Sequence, residues 1–343
     1  MSDSDAATHF IPAYEGESIA IPGTRGSIRI LASAKETDGL ISVFGYDSVT
    51  GDAPGFHYHN EAHDVFLCAK GRVKLWAGHR CRILSPGDFA YVPPKIIHQP
   101  QLVDPVNESV GLVTPGHWVD FFRFVTEKYD GVIGDDFDRR NTMQFMFSEI
   151  QEIKEKYDVV FQPDIQGAEV SDWSDEDSRL PDTAEPTEYF LRANTGPRYL
   201  LEGIMARPFI TTKQSAGQFA ITSVESSNRL KNSILSKPFV FEKVHQVYHV
   251  IDGAVIIRAY GQAIGDLVRA AETVFIPAGK EVSLDFVDRY VRFWSFASGD
   301  GLEPLAAGAG NAFEGSIVPD QVAPFDISRI HQVAENLGIK IKL

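Results

Sequence analysis

The chain has 343 residues, 43% hydrophobic and 23% charged, with a formal net charge of -15. That is a globular composition, long enough for two cores of about 150 residues each, and no stretch approaches the ~20 apolar residues of a membrane span. The acidic balance, 47 Asp and Glu against 32 Lys and Arg, argues against a nucleic acid or an anionic membrane as partner.

Residues 1–25 are polar and punctuated by Pro and Gly, and read as a loosely ordered arm. The segment MSDSDAATHF has neither a basic nor an apolar signal region, so a cytoplasmic location is expected, with Cys68 and Cys81 as reduced core thiols. Ser27–Phe44 holds two short β-rich runs around a polar turn at 36–39. Further strands are expected at Val65–Cys68, Val73–Trp76, Cys81–Leu84, Phe89–Val92, His98–Val103 and Val110–Val113. Turns at Lys70-Gly71, Ala77–Arg80 and Ser85-Pro86-Gly87-Asp88 separate the earlier ones. Short strands with frequent turns indicate an all-β barrel or sandwich.

From Trp118, WVDFFRFVTEKY and FMFSEIQEIKEKYDVV carry apolar residues at helical spacing. Trp118, Phe121, Phe122 and Phe124 are expected to pack a helix on the barrel rather than form a lid. Residues 167–188, GAEVSDWSDEDSRLPDTAEPTE, are acidic and poor in aliphatics, and read as a solvated linker or insert. Strand patterns resume at Tyr199. VYHVIDGAVIIRAYG parallels VFLCAKGRVKLWAG, and ETVFIPAGKEVSL parallels DFAYVPPKIIHQ, so the chain repeats one β-barrel. The expected division is a barrel over 1–125, a helical and acidic insert over 126–190, and a second barrel with a terminal helix over 191–343. That helix spans Phe325–Leu337, with Asp326 as N-cap and Gly338 as its stop.

His57 and His59 lie two residues apart in GFHYHNEAHDVFLCAKG, a spacing that turns both imidazoles to one face of a strand. Asp64 follows, and His98 opens a later strand after Pro93-Pro94. Together they read as a mononuclear metal site. On a continuous strand Asp64 faces inward and His63 outward; a strand starting later would exchange the two. Aligning the repeat on Gly71 and Gly253 sets Phe239, Phe241 and Gln246 opposite His57, His59 and Asp64. Aligning Pro93 with Pro277 sets Val282 opposite His98. The second barrel therefore lacks the metal set, and His245 and His249 are expected to have packing or surface roles.

The pattern HxH, four residues, an acid, six residues and Gly, followed by PGD(x)4PxxxxH, resembles the two motifs of the cupin superfamily. HYHNEAHDVFLCAKGRVKLWAG, TPGHWVDFFRF, YFLRANTGPRYLLEG and FASGDGL resemble segments of the bicupin quercetin 2,3-dioxygenases (flavonol 2,4-dioxygenases). The resemblance implies two cupin barrels, of double-stranded β-helix or jelly-roll form, with a few helices between and after them. It implies His57, His59 and His98 as metal ligands and Asp64 at the position of the family's glutamate, a ligand or near-ligand and the proposed base. Asp is one methylene shorter, which sets its carboxylate about 1.5 Å further back on an unchanged backbone.

Three imidazoles and a carboxylate suit one divalent transition metal, Fe, Cu, Ni, Mn, Co or Zn, and ligand type alone does not choose. Phe66, Trp76, Phe89 and Tyr91 are the candidate pocket walls, each with barrel core as its alternative role. The resemblance implies a metal-dependent dioxygenase that takes O2 and a small aromatic or enolic substrate, flavonol-like or polyketide-like, with Asp64 as catalytic base. Two alternatives stay open: a redox-neutral metal-dependent cupin enzyme (isomerase, decarboxylase or lyase), and a non-catalytic bicupin. Either a monomer or a homodimer is compatible with the sequence.

Overall fold

The computed structural model describes residues 7–342 apart from 52–54, 132, 136, 184, 231–232, 261–264 and 322–324. The first six residues of the expected arm thus lie outside the described residues. Two compact units are present, Glu15–Thr195 and Met1–Tyr14 with Gly196–Leu343. Residues 126–190, expected as an insert between barrels, are part of the first unit.

That unit is built from two antiparallel sheets. The larger runs in the order 127–128, 17–20, 26–32, 42–48, 107–114, 63–70, 89–92, 189–191, and the smaller in the order 160–161, 57–58, 98–102, 73–77, 80–84. Side chains alternate as the pleat demands. Val73, Leu75 and Ala77 are buried while Lys74 and Trp76 between them are half-buried. Cys68, Val73, Leu75, Leu84, Ala90, Val92 and Phe190 fill the space between the sheets. Gly71 turns the hairpin at φ +70°, where a Cβ would also meet the Val106 carbonyl at 2.4 Å, so a side chain is excluded twice over.

The other unit repeats the plan. Its larger sheet runs 311–312, 199–201, 204–210, 220–226, 291–297, 246–252, 273–276, 9–11, and its smaller sheet 339–341, 239–241, 282–286, 254–259, 266–269. Gly253 at φ +71° takes the place of Gly71. Phe239 pairs with Val282 as His57 pairs with His98. Phe239, Phe241 and Val282 belong to the packed core of this barrel.

The N-terminal segment is more regular than expected. His9–Ile11 pairs with Thr273–Phe275, and Glu17–Ala20 runs beside Ile28–Ile30; edge pairing outweighs the local Pro and Gly signals. Helices fall at Asp120–Val125, Thr142–Ser148, Ile150–Lys156 and Glu303–Ala309. The last helix, Ile327–Asn336, has the Asp326 side chain accepting from the Arg329 N–H at 3.2 Å. The acidic stretch is mostly exposed, yet it is not a free linker. Asp177, 1% exposed, is held by Arg82 at 3.1 Å and Arg80 at 3.4 Å. Both cysteines are buried and free. Among the described residues no helix is long and apolar enough to cross a membrane.

One buried acid in the second unit gives a stability prediction. Glu303 is 2% exposed and accepts from Thr222 Oγ1 at 3.2 Å and from the Gly301 N–H at 3.3 Å. Burial pushes its carboxyl up to about 7 from 4.5. A raised carboxyl favours the protonated fold, so its contribution is full below 4.5 and is lost as pH rises through about 7. The loss amounts to on the order of 3 kcal/mol. Glu303→Gln, neutral throughout, should be more stable than wild type at pH 8, and the gap should close by pH 4.5. Urea melts at both pH values check this; an equal gap at both would refute it.

Candidate metal centre and its cavity

The two strands that pair at His57 and His98 carry two of the four candidate ligands. His59 lies in the loop 59–62 that leads from Tyr58 to the His63–Lys70 strand, and Asp64 lies on that strand. One donor atom from each of His57, His59, Asp64 and His98 lies within 4.8 Å of all the others; among the described residues this is the only such group. The four are largely buried, at 2% exposure for His59, 7% for Asp64 and 1% for His98.

Hydrogen bonding fixes the rings. Nδ1 of His57 meets the Gly55 carbonyl at 2.9 Å, Nδ1 of His59 the Asp158 carbonyl at 2.7 Å, and Nδ1 of His98 the Ile96 carbonyl at 2.9 Å. A carbonyl only accepts, so each Nδ1 carries the proton, and in a neutral ring Nε2 is left with a lone pair. Yet Nε2 of His59 and of His98 stand 3.1 and 3.0 Å from one oxygen, Asp64 Oδ2. Lone pairs facing a carboxylate repel it unless a metal cation or a proton on Nε2 intervenes. Two donors bonded at ~2.1 Å to one ion at right angles lie about 3.0 Å apart, so the spacing suits a shared metal.

A proton on Nε2 is the other arrangement that relieves this repulsion, and the electrostatics describe it. Burial alone would raise Asp64, but the charges and hydrogen bonds of His59 and His98 outweigh it and hold the carboxyl well below the usual range. Burial, then His98 and His59, holds His57 well below an ordinary imidazole. Burial also works against a charged His59, and Asp64 overcomes it and raises that ring. Removing charge from water favours neutral forms; an adjacent opposite charge reverses this.

Asp64 reaches the histidines despite its shorter side chain. His63 points the other way, its Nδ1 2.7 Å from Tyr91 Oη, and burial lowers it to about 4. The candidate pocket walls separate. Phe66, in phase with Asp64, lines a cavity of about 470 Å3 that also touches His57 and Asp64. Trp76, Phe89 and Tyr91 do not line it. Register explains why: Asp64 pairs with Val92 and Phe66 with Ala90, so Phe89 and Tyr91 share the opposite face with Leu67 and Val65. Trp76 alternates out of the core, its Nε1 donating to the Ala168 carbonyl at 2.9 Å.

The walls that sequence reading missed are Phe44, Trp118, Phe121, Phe122, Met146, Val159 and Phe161. Trp118, Phe121 and Phe122 do pack as a cluster, but its inner surface is the cavity wall. Their i, i+3, i+4 spacing was visible; the space they face was not. The helical spacing runs on through KEKYDVV, but the helix stops at Lys156, Asp158 adopts φ +54°, and Val160-Phe161 form a strand. Gly111 gives a check on the cavity. A Cβ there would meet the Phe44 ring at 2.5 Å, and Phe44 is backed by Phe122 at 5.1 Å. Gly111→Ala should push that ring into the cavity and weaken ligand binding roughly tenfold with metal content unchanged. Titration calorimetry with an aromatic ligand that binds the wild-type protein checks this, and an unchanged Kd would refute it.

Comparison with known proteins agrees with this architecture. Residues 48–106 match the family described as Cupin domain. The chain is similar to quercetin 2,3-dioxygenase of Bacillus subtilis, 34% identical over 105 residues that span 31% of this chain and 31% of that enzyme. It is also similar to quercetin 2,3-dioxygenase of Aspergillus japonicus, 26% identical over 263 residues, 70% of this chain and 74% of that one. A solved structure of Bacillus subtilis oxalate decarboxylase, described for its Mn(II) centres, superposes with a TM-score of 0.52 at 14% identity, covering 88% of this chain and 80% of that chain. The fold is that of a bicupin.

Proposed function

We propose that this protein is a metal-dependent dioxygenase, quercetinase-like, that cleaves a carbon–carbon bond in a flavonol-like or polyketide-like enol with O2. The observation that carries the reading is the cavity. It measures about 470 Å3, touches His57 and Asp64, and is walled by Phe44, Phe66, Trp118, Phe121, Phe122 and Phe161. Its size is that of a site for a molecule of several rings. Flat apolar walls suit an aromatic body through stacking and edge contacts.

His57, His59 and His98 would hold the ion, with Asp64 as fourth donor or as neighbour to it. When bound, a divalent transition metal supplies a Lewis acid that acidifies a coordinated hydroxyl and a redox centre for chemistry with O2. The residues of the chain do the rest. Asp64, a carboxylate that lines the cavity beside the imidazoles, is the candidate to accept the proton of a hydroxyl next to a carbonyl. Phe66 and Trp118 hold the ring plane beside it, and the apolar walls exclude water from the electron-rich enolate.

The test is oxygen uptake. Protein reconstituted separately with Fe, Cu, Ni, Mn, Co and Zn is given a flavonol, with loss of its visible absorption followed alongside dissolved O2. One O2 consumed per flavonol with at least one redox-active ion supports the reading. Turnover of an enol or acid substrate without O2 uptake would replace it with Lewis-acid chemistry, and no turnover by any metallated form would refute it.

A further inference from the structure

We propose that Asp158 is a positioning residue for the metal centre, setting the orientation of His59 from a segment 99 residues away in the chain. The inference rests on the metal-centre reading above and adds to it a residue outside both histidine motifs.

The loop 59–62 is the weak point of the candidate site. It carries His59 between two strands and makes no sheet ladder of its own. Two anchors hold it. On one side the Lys95 N–H donates to the His59 carbonyl at 2.6 Å, tying the first histidine motif to the second. On the other side Asp158 takes almost everything the loop offers. Its Oδ1 accepts from the Asn60 N–H and Nδ2 at 2.7 Å each, and its Oδ2 accepts from the Glu61 N–H at 2.8 Å and the Ala62 N–H at 3.3 Å. Its own carbonyl accepts from His59 Nδ1. Three successive backbone donors converging on one carboxylate form an anion-binding turn, here filled by a side chain of the same unit. These charge-assisted bonds are the strong kind.

The geometry gives Asp158 two tasks in one residue. The carboxylate fixes the backbone that carries His59; the carbonyl fixes the tautomer and the ring angle, so that Nε2 faces Asp64 and His98. Metal-binding histidines depend on such outer partners. The backbone at φ +54° turns both groups toward the loop, and Asp and Asn are among the few residues that tolerate it. Immediately beyond, Val160 and Phe161 pair with Tyr58 and His57. Asp158 therefore also sets the start of the cavity wall formed by Val159 and Phe161.

The test uses cobalt(II) alone as probe on the full chain, read by equilibrium titration and by the absorption spectrum of the bound ion. Asp158→Ala removes all four carboxylate bonds, and cobalt affinity should fall 10–100-fold, with an altered spectrum at saturation. Asp158→Asn keeps the left-handed backbone and one accepting oxygen, and should fall between that variant and wild type. Glu61→Ala, exposed and bound to Asp158 only through its backbone, should match wild type. If Asp158→Ala does not fold, Asp158→Asn decides. Cobalt affinity within twofold of wild type, with an unchanged spectrum, would overturn the role of Asp158. A wild type that binds no cobalt would instead overturn the metal centre itself.

Discussion

Replacing His98 by alanine is expected to remove the metal from the purified protein, from about one ion per chain to a small fraction of that. His98 is 1% exposed, its Nδ1 is held by the Ile96 carbonyl, and its Nε2 points at Asp64 Oδ2. It also sits opposite His57 on paired strands, with ring centroids 4.4 Å apart. Structural zinc sites with four ligands gain about 10–16 kcal/mol from their ion; on that scale one donor of four is worth roughly 3 kcal/mol, or about 100-fold in affinity. The fold should survive, because the barrel core of Leu75, Ala90 and Val92 does not depend on the imidazole. Metal analysis by mass spectrometry on wild type, His98→Ala and His63→Ala reads the result. His63 neighbours Asp64 in sequence but bonds to Tyr91 on the other face, so its variant should keep the ion. Metal retained in His98→Ala, or lost equally in both variants, would refute the assignment of these ligands.

That contrast between His63 and His98 shows what could be read from the residues alone. Strand alternation is a local rule, and it separated Asp64 from His63 without knowledge of any neighbour. The repeat was equally legible, because its marks are local: a turn glycine at 71 and 253, and a proline directly after a strand at 93 and 277. The His57–His98 and Phe239–Val282 pairs follow from those marks. What failed depended on register or on tertiary placement. Phe89 and Tyr91 stand on a strand next to Asp64, but only the pairing of Asp64 with Val92 reveals that they face away from the cavity. Asp158 carried no signal in the sequence, since its role exists only once residues 60–62 come within reach. The wall residues Met146, Val159 and Phe161 lie in or just beyond a stretch with helical spacing, and that spacing does not show what space its apolar side meets.

The second large effect concerns the carboxylate. On the proposed reading, Asp64→Asn should lower kcat by about 10²–10⁴, the usual worth of a positioned general base, and the three imidazoles should still hold the ion at saturating concentration. Asparagine preserves the shape of the side chain but cannot accept the hydroxyl proton, and it presents a neutral oxygen to His59 and His98 where an anion stood. Two effects must then be told apart. Weaker metal binding is relieved by adding metal; a lost proton acceptor is not. Asp64→Glu separates them from the other direction. The extra methylene moves the carboxylate by up to about 1.5 Å from its present contacts with the two Nε2 atoms. It keeps the base and alters the distance, so kcat should return to within about tenfold of wild type even where metal affinity differs. Steady-state kinetics with a flavonol at saturating metal would resolve the three proteins. An Asp64→Asn enzyme as fast as wild type would show that the proton goes elsewhere. An Asp64→Glu enzyme as slow as Asp64→Asn would show that position rather than basicity is what Asp64 supplies.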